Sequence, residues 1–285
     1  MTGKKSPPIG LTPEQLVDLR KDNRLTRSIR REKAERKAWA GWDHAVPVAS
    51  LSYQSECGPE IKKVSHFFLE VNEVPPGSLR IDDQGHLLVP GMDIDGNFQT
   101  MQSISPRAEI KMATGCNANG AMFLIDSRDE LTRYNPSTGL RSFLEEPATD
   151  KNIYSSLYII LAEDYETGAL LHKASGLPVA ITFKSDNFQP VAESLAQKYS
   201  QAQIIICAND YPTVDDALMR QRAGLAAKAV GGRLVLPRVE GLERISQPLS
   251  FVEINRRFGL EGVKQVLLPS LSIEMRNLLD QVVER

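Results

Sequence analysis

From Leu157 to Pro237 short apolar runs alternate with stretches of helical pattern. Leu157-Tyr-Ile-Ile-Leu-Ala162, Pro178-Val-Ala-Ile-Thr-Phe183, Ile204-Ile-Ile-Cys-Ala208 and Arg233-Leu-Val-Leu-Pro237 are four such runs. Runs of five or six residues, rich in β-branched side chains and without polar alternation, fit strands covered on both faces, as in parallel sheets. Fifteen to twenty-four residues separate them, enough for the helix that each right-handed crossover needs. Tyr165–Ala174 and Pro190–Tyr199 supply two helices, and Thr213 opens a third that Gly231-Gly232 ends. The first run stops at Glu163-Asp164 and the third at Asn209-Asp210. In open parallel sheets the carboxyl ends of the strands are where ligands bind.

The pattern upstream is different. Thr12, Pro13 and Gln15 make a capping-box start, and nothing breaks a helix from there to about Trp42. Leu16, Leu19, Leu25 and Ile29 form only a narrow apolar stripe on it, and lysines and arginines take most of the remaining circumference. Such a helix rests on a domain by that stripe or lies on something anionic. Residues 45–61 predict irregular chain. From His66 to Ile125 the pattern is mostly β, with turns at Asp82-Asp-Gln-Gly85 and Asp93-Ile-Asp-Gly-Asn97 and a strand over Phe98–Ile104. Residues 126–152 are polar and read as a connection. After Pro237, Phe251–Phe258, Gly259–Leu268 and Ser272–Val283 are amphipathic helical stretches.

The resulting expectation is an α+β part followed by an α/β part. A basic helical arm (1–44) leads into a small, mostly-β unit (45–150). A unit built on a four-stranded parallel sheet with flanking helices follows (151–245), then a helical tail (246–285).

Bulk composition changes this picture in two places. The longest apolar runs are far too short to cross a membrane, and no leader-like segment follows the N-terminus, so a cytoplasmic protein without membrane contact is expected. Cys57, Cys116 and Cys207 lie far apart, without the paired spacing of a zinc ribbon, and read as reduced thiols; no zinc is expected. The net charge of −2 hides an asymmetry: residues 1–40 hold eleven Lys or Arg against five Asp or Glu. That local +6 leaves −8 on the rest, and a basic arm on an acidic body points to a polyanionic partner.

Glu163 and Asp210 are the candidate metal ligands, because a divalent cation needs hard oxygen donors converging from separate elements. Acids at strand ends also cap helices or face water, so both readings stand on spacing alone. Asp93, Asp95 and Asn97 open like a calcium loop, but Ile104 occupies the position of the bidentate glutamate, and a turn is expected. The four histidines show no ligand spacing. Trp39 and Trp42, at helical spacing, read as a packing anchor.

Longer stretches carry a resemblance. Leu161-Ala-Glu163-Asp-Tyr-Glu-Thr-Gly-Ala-Leu-Leu171, Ser175-Gly-Leu-Pro-Val179, Ile205-Ile-Cys-Ala-Asn-Asp210 and Ala229-Val-Gly-Gly232 resemble the Toprim domain of DNA primases from conjugative plasmids and related mobile elements. His66-Phe-Phe-Leu69, Leu79 to Pro90, and Gly96 to Pro106 are similar to the segment preceding Toprim there. Lys37-Ala-Trp-Ala-Gly-Trp42 falls where that family has a helix-borne tryptophan. The resemblance covers roughly residues 35–265.

It implies a magnesium-dependent nucleotidyltransferase that makes primers. A strand-end glutamate acts in acid/base chemistry, and an Asp-x-Asp pair holds metal for in-line attack on a nucleoside triphosphate. Carried over, the catalytic and metal-binding glutamate is Glu163. The acid pair is Asn209-Asp210-Tyr211, which leaves Asp210. Asp164 replaces the usual glycine, and Pro212–Asp216 lacks the glycine-rich loop. The later acidic motif is matched only by Ser250-Phe-Val-Glu253. A lysine of the upstream glycine loop is Thr114, with Lys111 nearby, and Lys184 stands where an acid is expected. A two-metal site needs three or four carboxylates, so these departures predict a depleted metal site, with magnesium retained or lost. The family's zinc-binding domain is expected to be missing, since no paired cysteines stand ahead of the matching stretches.

DNA contact does not need the metal. Arg107, Lys111, Arg222 and Arg233 fall in or near regions that face template or nucleotide in the family, and Arg27, Arg30 and Arg31 add charge from the arm. The expected function is a primase-like Toprim protein that binds single-stranded or template DNA in mobile-element replication or transfer. Two alternatives remain: an active magnesium-dependent primase, and a non-enzymatic partner within a replication, transfer or defence complex.

Overall fold

The computed structural model describes residues 13–47, 66, 79–125, 158–210, 214–238, 250–273 and 275–276. The expected irregular chain after residue 47, the connection over 126–152 and most of the last helical stretch lie outside these residues. Helix α1 spans Pro13–His44. The antiparallel sheet that follows takes its strands in the order β1 (Val46–Pro47), β2 (Arg80–Ile81), β3 (Leu87–Met92), β4 (Phe98–Ile104) and β5 (Ile110–Met112). Alternation on β4 puts Thr100, Gln102 and Ile104 inward, as a sheet covered on one face requires. The Asp93 turn is not a cation loop. Its carboxylate accepts from the backbone N–H of Asp95 and Asn97 and from the side-chain amides of Asn97 and Gln99.

The second sheet has the order β10-β9-β7-β8-β6, with β6 at Phe123–Ile125, β7 at Tyr158–Ala162, β8 at Val179–Ile181, β9 at Gln203–Cys207 and β10 at Arg233–Val235. Strands β10, β9, β7 and β8 run parallel, and β6 adds to β8 antiparallel. That fifth strand comes from a stretch that the sequence pattern groups with the β-rich region upstream. The reason is local: Phe123 and Ile125 are buried beside Ile181 and Val179, completing the apolar face of β8. Every residue of β7 and β8 is buried, as two covered faces demand.

Helices α2 (Tyr165–Ser175), α3 (Phe188–Lys198), α4 (Val214–Ala229) and α5 (Phe251–Leu267) flank the sheet. Two apolar clusters lie against it: one joins α2 and α5 to Ile160, Ile181 and Ile205, the other joins α3 and α4 to Ile159, Leu161 and Ile206. Helix α2 approaches β8 so closely that a Cβ on Gly168 would stand 1.9 Å from Ile181 Cδ1. The helical stretches predicted on either side of Gly259 are divided there as expected: α5 is broken by a kink at Gly259, whose φ of 66° and ψ of −172° are non-helical and suit glycine alone.

The two sheets meet where β6 begins. Met92 and Met122 exchange two backbone hydrogen bonds of 2.8 Å. Gly91 lies at this joint, with Thr100, Phe183 and Ala121 filling the space a side chain would take. The junction therefore lies beside the carboxyl end of β8, against the edge that carries the candidate acids.

Among the described side chains of α1, the buried ones lie in its last third. Ala38 and Trp42 are buried, Trp39 meets Phe98 edge-on at 5.4 Å, and the Arg80 guanidinium sits 4.9 Å from the Trp42 ring centre while bonding the carbonyls of Trp42 and Asp43. The two tryptophans are the packing anchor expected. Between residues 17 and 33 every described side chain is exposed, Val17, Leu25 and Ile29 included. Of the expected apolar stripe, Leu25 and Ile29 are exposed, and the side chains of Leu16 and Leu19 lie outside the described residues.

Candidate functional site at the carboxyl edge of the parallel sheet

Glu163 directly follows β7, and Asp210 lies three residues beyond β9. Because β7 and β9 are neighbouring parallel strands, both acids stand at the same sheet edge. Each is already met by donors. Glu163 Oε1 accepts from the Ser185 backbone N–H at 3.0 Å, and the Ser185 hydroxyl accepts from Arg222 Nη1 at 2.9 Å. Asp210 is bracketed: Oδ1 lies 3.0 Å from Arg220 Nη1, and Oδ2 accepts from Arg238 Nε at 3.0 Å. One arginine comes from the second turn of α4 and the other from the chain just past β10. Lys184 and Asp186, 3.1 Å apart, form a further pair beside Ser185.

The neighbouring polar residues are occupied structurally. Asp164 caps α2, its Oδ1 accepting from Thr167 N–H at 2.8 Å and its Oδ2 from the Thr167 hydroxyl at 2.9 Å. Burial raises the Asp164 carboxyl above its ordinary range, and the capping bonds oppose that rise. Glu166 is raised as well, by burial first and by the Asp164 charge second, with Arg256 opposing. The Asn209 side-chain oxygen accepts from the Phe251 N–H at 3.3 Å, so it seats the start of α5, which Ser250 caps through Glu253 N–H. Asn187 is buried and makes three bonds: its amide donates to the carbonyls of Ala121 and Thr182, and its oxygen accepts from Gly120 N–H. It fastens the start of β6 to the end of β8. Between them, Phe183 sits at φ 66°, a strained angle for a bulky side chain.

The expected site residues fall into separate groups. Glu163, Asp210 and Arg222 share the carboxyl edge. Arg233 opens β10, level with Ile205 in the middle of β9, and its side chain is turned to the Pro269 carbonyl, to which it donates at 3.3 Å. Arg107 is exposed in the β4–β5 turn, and Lys111 on β5 lies 3.6 Å from Glu109. Arg27, Arg30 and Arg31 are exposed on the unpacked part of α1, Arg31 lying 3.7 Å from Glu35. Arg220, Arg238 and Ser185 were not singled out by sequence reasoning. Their only signal is indirect: each follows or faces a strand end, and the pairing of two arginines with one acid exists only in three dimensions.

Arg20, Arg24, Arg27 and Arg31 recur at intervals of four, three and four. At 100° per residue they form one stripe. The stripe continues through Ala34, Ala38 and Trp42, the side by which the helix docks. The helix thus carries its docking face outward as a ladder of guanidinium groups.

No family model matches the chain. In sequence it is similar to a DNA primase TraC of Escherichia coli, 23% identical over 232 residues, which is 80% of this chain and 19% of that protein. A second protein of the same name and organism is 26% identical over 153 residues, 52% of this chain and 9% of its own length. The chain therefore spans less than a fifth of the curated relatives it matches. Among solved structures, the primase fragment of the bacteriophage T7 primase-helicase aligns over 80% of each chain, with 11% identity and a TM-score of 0.43. The DnaG primase catalytic domain bound to ssDNA aligns over 90% of this chain and 82% of its own, with 12% identity and a TM-score of 0.38. In sequence, then, the chain is similar over as much as 80% of its length to proteins that share the name DNA primase TraC.

Proposed function

We propose that this is a primase-like Toprim protein of a mobile element, acting on single-stranded or template DNA, with a carboxyl-edge site that no longer serves as a magnesium centre. The observation that carries this reading is the bracketing of Asp210 between Arg220 and Arg238. A pair of magnesium ions asks for several converging carboxylates. Among the described residues at this edge, Glu163 is held by an amide and Asp210 by two guanidinium groups, while Asp164 caps a helix and Asp186 pairs with Lys184. No cluster of three or more His, Cys, Asp or Glu residues able to hold a metal occurs among the described residues. Like charge from the arginines repels a dication, so the side chains present fit magnesium poorly.

DNA binding survives such a loss, because phosphate neutralisation needs only positive charge. The guanidinium ladder of α1 supplies that charge, and the sequence relatives favour DNA as its partner. Arg107 and Lys111 on the β4–β5 hairpin are secondary contacts in this reading. The test is a primer-synthesis assay on single-stranded template with Mg²⁺ or Mn²⁺, beside binding measured in EDTA. The expected outcome is no product, with metal-independent binding that weakens steeply as salt rises.

One observation favours the second reading, a working primase: Glu163 and Asp210 do share one edge. Primer synthesis abolished by Glu163→Gln would establish it. Absence of any DNA binding would turn the assignment to a protein-interaction role within a replication, transfer or defence complex.

A further inference from the structure

We infer that the arginine pair bracketing Asp210 is itself the binding element of this edge. It takes a phosphate oxyanion without a divalent cation, and Asp210 is a positioning residue for the two guanidinium groups. This rests on the reading of the edge as facing phosphate. The two arginines come from different elements and reach different oxygens of one carboxylate, each at 3.0 Å. A carboxylate that accepts from Arg238 and ion-pairs with Arg220 holds the two guanidinium groups beside each other, and planar guanidinium forks suit tetrahedral oxyanions. Arg238 uses only its Nε on Asp210 and is 70% exposed, so its terminal nitrogens face solvent. Arg222 adds a third guanidinium, oriented by the Ser185 hydroxyl.

Charge decides between cation and anion. Three arginines stand against Glu163 and Asp210, and Lys184 with Asp186 cancel. Around Asp210 itself two guanidinium groups stand against one carboxylate, a local excess of one positive charge that favours phosphate over magnesium. The phosphate belongs either to a nucleic-acid strand or to a free nucleotide. Both present the same oxygens, so the experiment carries an arm for each.

The full chain is titrated, in EDTA and again with Mg²⁺, against a fluorescein-labelled single-stranded oligonucleotide and separately against ATP. Arg238→Ala should weaken binding by about fivefold and reduce the salt slope by about one, while Arg238→Lys keeps the slope. Asp210→Asn should weaken binding by about threefold, since its amide nitrogen cannot accept and one of the two guanidinium groups loses its hold. Thermal melts of each variant separate binding from folding. Magnesium-dependent binding, together with an Asp210→Asn loss of tenfold or more in a folded protein, would overturn the inference. So would an Arg238→Ala variant that binds as the parent does; in that case strand binding still stands and the broader reading survives. Binding of ATP through Arg238 with no strand binding would support the inference and sink the DNA assignment. Binding of neither ligand removes both.

Discussion

The two ends of the parallel sheet use the same residue types for different work. Towards the amino end, Arg233 and Arg276 both donate to the Pro269 carbonyl, and the Tyr158 hydroxyl accepts from Ser272 N–H. Side chains there close one piece of backbone over another. At the carboxyl end, arginines meet a carboxylate and a hydroxyl, and they leave donors facing solvent. Guanidinium groups that end on carbonyls fasten the fold. Those that end on an acid with nitrogens to spare form a site. Partner type, rather than residue type or strand position, separates the two.

The largest effect belongs to the fastening within the functional end. Asn187→Ala would leave Gly120 N–H and the carbonyls of Ala121 and Thr182 without their buried partner. A stability loss of about 3 kcal/mol is expected in chemical denaturation. A loss below about 1 kcal/mol would mean that the junction is not held by this residue. Removing residues 1–33 comes next. Strand affinity should fall on the order of a hundredfold, with a salt slope lower by about four, because four ladder arginines go. The melting temperature should hold, since Ala38 and Trp42 still dock.

Smaller effects test the amino end. Tyr158→Phe should cost about 1 kcal/mol by leaving Ser272 N–H unpaired, with strand affinity unchanged. Arg233→Ala should shift stability by less than about 0.5 kcal/mol and leave affinity alone. If Arg233→Ala matched Arg238→Ala in the binding assay, the contrast between the two ends would be wrong.

The smallest effect is in pH. Asp164 and Glu166 hold their protons more readily in the folded chain than their ordinary values of 3.8 and 4.5 imply. Their favourable contribution is therefore complete below those values and is lost as pH rises through the raised folded ones. Denaturation midpoints should fall modestly over that interval, and Glu166→Gln should flatten the fall.

Much of this architecture could be read from pattern. The four apolar runs are strands because β-branched residues without alternation have no other stable home, and the helices between them begin and end near their predicted caps. Pattern was blind where the determinant is tertiary. Phe123 and Ile125 look like part of the β-rich stretch before them, and only β8 reveals their sheet. Leu25 and Ile29 look like a docking stripe, yet the helix docks through alanines and tryptophans one turn and more beyond. Spacing found Glu163 and Asp210 at one edge because strand ends are sequence features. It could not find Arg220 and Arg238, whose meaning is the acid they share.

The outer two-thirds of α1 has an electrostatic consequence. At 1.5 Å per residue, residues 13–33 reach roughly 30 Å beyond the docked turns. The ionic atmosphere at physiological salt damps a field over about 8 Å. The outermost ladder arginine, Arg20, thus stands about 20 Å from the docked turns, between two and three screening lengths, while Arg31 lies within one. A strand approaching from solution meets the outer end of the arm as a cationic rod, before the repulsion of the body is felt.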